Sequence, residues 1–205
     1  MPRSIYTIGH SNHSIEVFLS MLASREVTAV ADVRSQPYSR YAPQFNRENV
    51  KVALNSAGLV YVFLGRELGA RSEDPACYVD GKVSYDRLAR SSLFQAGLAR
   101  LVDVASTHRI AIVCAEKDPL TCHRAILICR QLVAQGIEVN HILEDGSLES
   151  HEAAISRLVA EEGLGGPDLF RTRADAILEA YENRGRKIAF TTGAAEKQLS
   201  ARPFK

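Results

Sequence analysis

The chain has 205 residues, of which 46% are hydrophobic and 24% are charged, a composition typical of a globular protein with one sizeable core. Its 25 lysine and arginine residues nearly balance 24 aspartate and glutamate residues, so the net charge of +1 gives no field that would favour duplex nucleic acid or a membrane surface. No apolar segment is long enough to span a bilayer, the first residues lack a secretory signal pattern, and the four cysteines show no close pairing. We therefore expect a cytoplasmic protein with reduced thiols.

Short apolar runs alternate with segments of helical period along the chain, and the first helix is predicted to open at Ser14. The runs that predict strands are 5–8, 27–33, 59–64, 110–114 and 137–143. This alternation is typical of βαβ units. We predict a three-layer α/β fold with a mostly parallel sheet of about five βα units. A closed or partly closed barrel fits the same periodicity and stays open as an alternative.

The predicted organisation is a core with an appended tail. We assign residues 1–162 to an α/β core domain and residues 163–205 to a helical C-terminal extension packed on the same domain. Within the extension, the pattern predicts a helix at 174–182 and a short strand at 187–191. Residues 71–85 are rich in polar and turn residues, which predicts a surface loop that could cover a site.

Polar side chains follow the predicted strands, at the points where each strand leads into a helix. In a parallel sheet these points share one edge, so groups far apart in sequence converge there. The candidate residues at this edge are His10, Ser11, Asp32, Arg34, Arg40, Glu116, Cys122, His123 and Arg124. The sequence therefore predicts a functional site at the carboxyl edge of the sheet.

The junction from Cys114 to Arg124 is the most informative part of this edge. Thr121 is a good helix N-cap, which would place Cys122, His123 and Arg124 in a first turn where free N–H groups favour an anion. A thiol in such a turn has its thiolate stabilised. Cys122 is therefore the first candidate for a nucleophile, whereas packing as a small apolar side chain is favoured for Cys114.

The other candidate roles are acid–base catalysis and substrate binding. His10 and His123 are candidate proton-transfer groups, and Glu116 is either a third or the partner in a salt bridge. Asp32 could act as a general base or orient Arg34. Ser11, Arg34, Arg40 and Arg124 are candidate substrate contacts, since guanidinium groups suit phosphate and carboxylate. Three further histidines are predicted to lie at the surface, namely His13, His108 and His151.

The sequence carries no clear metal-binding or nucleotide-cofactor motif. The possible ligands are dispersed in sequence and no His-x-x-x-His spacing occurs, so no metal site is assigned. No glycine pattern typical of dinucleotide or P-loop binding follows a strand. The sequence leaves the cofactor open.

Several motifs together resemble the bacterial and archaeal family called domain of unknown function 488. They are Thr7-Ile8-Gly9-His10-Ser11, Asp32-Val33-Arg34-Ser35, Gly65-Arg66-Glu67-Leu68-Gly69, Cys114-Ala115-Glu116-Lys117-Asp118-Pro119 and Cys122-His123-Arg124. The resemblance covers most of the chain. It implies a shared fold and a shared site and leaves the reaction open.

A strand that ends in Cys before an anion-binding turn, with Asp-x-Arg at another strand end, is also similar to rhodanese-like sulfurtransferases and cysteine phosphatases. The chain departs from the phosphatase pattern because Leu120 stands where that pattern has Arg. We interpret the chain as a Cys/His-dependent hydrolase or group transferase for an anionic, phosphate- or nucleotide-like substrate. The alternative is a non-catalytic module for a nucleotide, a nucleic-acid end or a protein, based on the aromatic and proline-rich loop 38–45. The oligomeric state stays open.

Overall fold

The computed structural model describes residues 4–166 and 171–192, and its centre is an open six-stranded sheet. The described strands are β1 (Ser4–Gly9), β2 (Ala29–Asp32), β3 (Val60–Phe63), β4 (Tyr78–Val79), β5 (Lys82–Val83), β6 (Ile110–Cys114), β7 (Glu138–Ile142) and β8 (Leu148–Ser150). The central sheet has the order β3-β2-β6-β1-β7-β8, in which only β8 is antiparallel to its neighbour. Within residues 4–166 and 171–192, β3 and β8 are the two edge strands and do not pair with each other, so these strands form an open sheet rather than the barrel that periodicity allowed.

Helices cover both faces of the sheet. The described α-helices are α1 (Ile15–Ala23), α2 (Arg47–Ser56), α3 (Gly65–Leu68), α4 (Tyr85–Arg90), α5 (Ser92–Thr107), α6 (Arg130–Ala134), α7 (His151–Glu161) and α8 (Arg173–Ile188). A π-helical segment, Arg124–Cys129, leads directly into α6. None of the described helices has the length and apolar character needed to cross a membrane.

The apolar run of β6 explains the three layers. All five of its residues are buried, and alternate side chains enter opposite layers because successive residues of a strand point to opposite faces. Ile112 packs in the cluster that contains Leu98 of α5, whereas Val113 packs in the cluster that contains Phe18 of α1. The predicted three-layer, mostly parallel α/β fold is confirmed.

The C-terminal region differs in detail from its prediction. Helix α8 is longer than expected, because a Thr172–Asp175 capping box fixes its start and buried Tyr181 and half-buried Ile188 hold its inner face. The predicted strand at 187–191 is therefore wrong for residues 187 and 188, which belong to α8. What the structure shows of it is an isolated antiparallel bridge between Thr191 and Lys82. Residues 193–205 of the predicted extension lie outside the described residues.

Residues 71–85 are not simply a surface loop. They form a 3₁₀ turn at Pro75–Cys77 and the hairpin of β4 and β5. Cys77 and Val83 are buried in the main core, because they are the apolar side chains that this polar segment turns inward. The segment therefore packs against the core and can contribute fixed walls to a site.

Candidate functional site: a buried cysteine–histidine cluster

The loops that follow β1 and β6 are joined at the carboxyl edge of the sheet. The register pairs Gly9 with Cys114, and the backbone N–H of His10 donates to the Cys114 carbonyl at 2.9 Å. The N–H of Ser11 then donates to the Ala115 carbonyl at 2.9 Å. The sheet register thus holds the segment after β6 in a fixed position beside β1.

Cys114, Cys122 and His123 form what we call the cysteine–histidine cluster. The Nδ1 atom of His123 lies 3.7 Å from Cys114 Sγ and 3.8 Å from Cys122 Sγ, and the three donor atoms lie within 4.8 Å of one another. The other ring nitrogen, Nε2, lies 3.2 Å from the Val33 carbonyl. Because a carbonyl oxygen can only accept, Nε2 carries a proton and Nδ1 is the ring atom that faces the sulfurs.

The helix start differs by one residue from its prediction. Thr121 belongs to a 3₁₀ turn and its hydroxyl donates back to the Asp118 carbonyl at 3.0 Å, so it does not cap the next helix. Cys122 has extended dihedrals, its carbonyl accepts from Ala125 N–H, and its Sγ accepts from Arg124 N–H at 3.4 Å. The N-terminal backbone dipole is therefore directed at the sulfur of Cys122.

The π-helical segment turns this part of the chain inward. All six of its residues are buried, and Arg124 is 0% exposed. The guanidinium of Arg124 donates to the backbone carbonyls of Glu116 at 2.7 Å and Lys117 at 3.0 Å. Arg124 was predicted to bind substrate, but these contacts show that it holds the loop after β6 from beneath.

Charge in the cluster is concentrated on one thiol. Burial raises the pKa of Cys122, but a hydrogen bond from Cys114, the Arg124 guanidinium and His123 together lower it well below its ordinary value. The hydrogen bond with Cys122, reinforced by burial, raises the pKa of Cys114. The pair therefore holds its negative charge on Cys122, while Cys114 stays protonated.

Glu116 completes the polar surroundings of the cluster. Cys114 Sγ lies 3.1 Å from Glu116 Oε2, so the single proton of this thiol has two acceptors within reach, the Glu116 carboxylate and the sulfur of Cys122. Burial and the nearby Cys122 raise the pKa of the Glu116 carboxyl above its ordinary value. A carboxyl group with a raised pKa is better suited to exchange protons near neutral pH than one with an ordinary pKa.

A cavity of about 340 Å³ lies over the cluster. Cys114, His123 and Glu116 line it, together with the cationic side chains of Arg34 and Arg71. Cys122 does not line this cavity, and its side chain is only 1% exposed. A molecule in the cavity therefore meets Cys114, His123 and Glu116 first, with Cys122 directly behind them.

Asp32 fixes one of the cavity arginines. Its carboxylate accepts from Arg34 Nε at 2.9 Å and from Arg34 Nη2 at 2.6 Å. The hydroxyl of Tyr61 donates to the same carboxylate at 2.8 Å. Of the two roles that the sequence left open for Asp32, these contacts favour orienting Arg34.

The remaining predicted site residues, His10, Ser11 and Arg40, do not line the cavity. His10 stacks on Phe45 with ring centroids 4.3 Å apart, and burial followed by the Arg34 charge lowers its pKa to about 4. Ser11 has a left-handed backbone, with φ of +47°. Arg40 is exposed on the loop after β2 and is not part of the cavity wall.

Sequence reasoning favoured a packing role for Cys114, which lines the cavity, and missed Arg71 as a part of the site. Cys114 could have been found from its place at a strand end beside Gly9, but Arg71 comes from a segment with no local signal. His151 was wrongly predicted to lie at the surface. It is 4% exposed, because its ring nitrogens bond to His141 Nε2 at 3.0 Å and to the Tyr181 hydroxyl at 2.8 Å.

The fold and site together define an α/β protein with a buried cysteine–histidine cluster at the carboxyl edge of an open parallel sheet. The family model Domain of unknown function DUF488 matches residues 14–130, which is more than half of the chain. The protein therefore belongs to this family, and the matched region contains Arg34, Glu116 and the whole cluster. No curated protein and no solved structure matches the chain.

Proposed function

We propose that the protein is a Cys/His-dependent enzyme, a hydrolase or group transferase, that acts on an anionic small molecule in the cavity over the cluster. The observation that carries the proposal is the composition of one cavity wall. The thiol of Cys114 and the imidazole of His123, with the second thiol of Cys122 directly behind them, adjoin two guanidinium groups that suit a phosphate or carboxylate. Such a convergence of reactive and binding groups in one concave site is the usual arrangement of an active site.

The contacts suggest a role for each group. Arg34, fixed by Asp32, and Arg71 would hold the anionic part of the substrate. Glu116 would exchange a proton with the reacting group, since it lines the cavity and the pKa of its carboxyl is raised, first by desolvation. Asp32 is then a positioning residue.

The cluster itself can react in two ways. Cys122 can act as a sulfur nucleophile, or the two sulfurs and His123 can act through a metal ion that they hold. Both ways need the same substrate position in front of Cys114. Arg124 supports either one, because it holds the Glu116 and Lys117 carbonyls.

The proposal is tested by assaying the purified, reduced protein on phosphomonoesters, phosphodiesters, nucleotides, thioesters and sulfur donors. We expect turnover of at least one anionic class. Glu116→Gln should lower kcat by about 100-fold or more, as for loss of a general acid or base, and Cys122→Ser should lower it at least as much. Cys77→Ala, which alters a buried cysteine that does not line the cavity, should retain turnover.

The proposal fails if the parent protein turns over none of these classes. It also fails if Cys122→Ser and Glu116→Gln leave an observed activity unchanged. Circular dichroism of each variant separates loss of chemistry from loss of folding.

A second candidate function is non-catalytic binding of a nucleotide or a single-stranded nucleic-acid end. The observation that favours it is the exposure of two tyrosines on the loop after β2. Tyr38 is 74% exposed and lines the cavity, and Tyr41 is 96% exposed next to Arg40. Exposed aromatic rings next to a cation are a stacking surface for bases.

Fluorescence anisotropy with short single-stranded DNA and RNA at two salt concentrations tests this candidate. Salt-sensitive binding that is weakened by Tyr41→Ala and retained by Leu178→Ala, a change at a half-exposed apolar residue of α8, supports it. Absence of binding at low salt contradicts it.

A further inference from the structure

We propose that Cys114, Cys122 and His123 bind one zinc ion. The inference deepens the proposed function and rests on the same cavity, since the ion would lie at its floor. Two thiolates and one imidazole are ligands that zinc prefers, and three protein ligands with one remaining position are the usual set of a catalytic zinc site.

The distances fit a tetrahedral ion. With bonds of about 2.3 Å from zinc to sulfur and about 2.0–2.1 Å from zinc to nitrogen, a tetrahedral angle sets each sulfur about 3.6 Å from the nitrogen. The observed separations from His123 Nδ1 are 3.7 Å to Cys114 Sγ and 3.8 Å to Cys122 Sγ. The two sulfurs lie within 4.8 Å of each other, against about 3.8 Å around a tetrahedral zinc ion, so side-chain movements of about 1 Å or less would seat the ion.

His123 is already oriented as a metal ligand. Its Nε2–H points at the Val33 carbonyl at 3.2 Å, which leaves Nδ1 directed at the two sulfurs. A hydrogen bond from the second ring nitrogen to a backbone carbonyl is the common support for a metal-bound histidine. The strand end of β2 thus fixes the ring plane that the ion requires.

The fourth position lies on the cavity side. Cys114 and His123 line the cavity, so a water molecule or a substrate oxygen can reach an ion between them. The Glu116 carboxylate oxygen lies 3.1 Å from Cys114 Sγ and lines the same cavity, so it can take that position or exchange a proton with its occupant.

Charge also favours a divalent cation. Each cluster side chain is at most 7% exposed, so a second thiolate, formed when Cys114 gives up its proton, would be costly to bury there without a cation. Zinc with two thiolates has no net charge, so the ion removes this cost. The positive charge of Arg124, which already donates to the Glu116 backbone carbonyl, then balances the negative charge of the Glu116 carboxylate.

Cobalt titration of the reduced, chelator-stripped full chain tests the site. We expect one cobalt ion per chain, with the visible bands of tetrahedral cobalt and a thiolate-to-cobalt charge-transfer band, both abolished by stoichiometric zinc. The variants Cys114→Ala, Cys122→Ala and His123→Ala should each lose the tetrahedral spectrum. Cys77→Ala and Cys129→Ala should keep it, because these buried cysteines are not in the cluster.

Two results would overturn the inference. One is a parent protein that gives no tetrahedral cobalt spectrum, a result that does not depend on whether the variants fold. The other is a spectrum that survives Cys114→Ala and Cys122→Ala in variants with native circular dichroism, since the ion would then lie elsewhere.

The metal site and the proposed activity can each be refuted without refuting the other. Full turnover by the chelator-stripped protein, without cobalt binding, removes the metal and leaves Cys122 as a sulfur nucleophile. Stoichiometric cobalt binding by a protein that turns over none of the anionic classes keeps the metal site and removes the proposed activity. Glu116→Gln distinguishes the two roles of the carboxylate: a changed cobalt spectrum indicates a ligand, and an unchanged one indicates a proton-exchange group.

Discussion

Gly9 lies so close to the backbone of Glu116 that a Cβ atom at Gly9 would stand 1.9 Å from the Glu116 carbonyl oxygen. This contact joins the end of β1 to the loop that carries the Glu116 side chain. The atom in the way belongs to the backbone, so the loop itself would have to move to admit a side chain.

Gly9→Ala should therefore destabilise the protein by about 1–3 kcal/mol, the usual cost of overpacking, and displace the Glu116 carbonyl from Arg124. Urea denaturation measures the loss. Gly166→Ala is the control, because a Cβ there meets nothing within 4 Å, and it should change stability by less than about 0.5 kcal/mol. Equal stability of the two variants would contradict the close contact.

Asp32→Asn should destabilise the protein by about 3–5 kcal/mol, because it leaves the buried Arg34 guanidinium without its counter-ion. The arginine is only 8% exposed, so water cannot replace the lost charge. Tyr61→Phe removes one hydrogen bond to the same carboxylate and should cost only about 1 kcal/mol. If both variants cost the same in equilibrium unfolding, the ion pair does not hold this edge of the site.

Stability should fall as the pH falls from about 6.5 to 4, in part because of His151. Burial lowers the pKa of its imidazole to about 4 from an ordinary value of 6.5, so the unfolded chain takes up the proton first. The stability from neutral His151 is complete above pH 6.5, and about 3 kcal/mol of it is lost by pH 4.

Unfolding free energies at several pH values check this, with His151→Gln as the test and His108→Gln as the control. In His151→Gln, the loss of unfolding free energy between pH 6.5 and pH 4 should be smaller by about 3 kcal/mol than in the parent protein. His108→Gln, at the half-exposed end of α5, should lose as much unfolding free energy between pH 6.5 and pH 4 as the parent protein does. The same loss in His151→Gln as in the parent protein would mean that the buried histidine does not titrate as its surroundings require.

Thiol labelling of the reduced, metal-free protein should proceed in distinct phases. All four cysteines are buried, but only Cys114 lines the cavity over the cluster. A small aromatic disulfide reagent should therefore modify Cys114 first, because Cys114 is the thiol that the reagent can reach and the neighbouring Cys122 thiolate can take up its proton. Cys114→Ala should remove the fast phase and Cys129→Ala should keep it. Four equal rates would indicate that labelling follows global unfolding.

Much of the fold was determined by local patterns in the sequence. The apolar run at 110–114 predicted the buried central strand, because a strand covered on both faces needs apolar side chains in both directions. Parallel strands have their carboxyl ends at one edge of the sheet. This rule predicted that Arg34, Glu116 and His123 lie close together, and all three line one cavity. These predictions depend only on periodicity and on chain direction.

Local patterns in the sequence did not predict the length of α8 or the burial of side chains from residues 71–85. Each depends on which core surface is available to cover a few apolar side chains, such as Cys77 and Tyr181. That surface exists only after the other elements have packed.

The sequence by itself determined an α/β protein with reactive and cationic groups at one sheet edge. The tertiary structure decided that Cys114 joins Cys122 and His123, that Arg124 supports the loop from beneath, and that Arg71 reaches the cavity. The physical reason is that side-chain direction and burial at a strand-to-helix junction depend on the register with β1 and on the π-helical turn. Both are long-range or cooperative features that residue types and spacing do not encode locally.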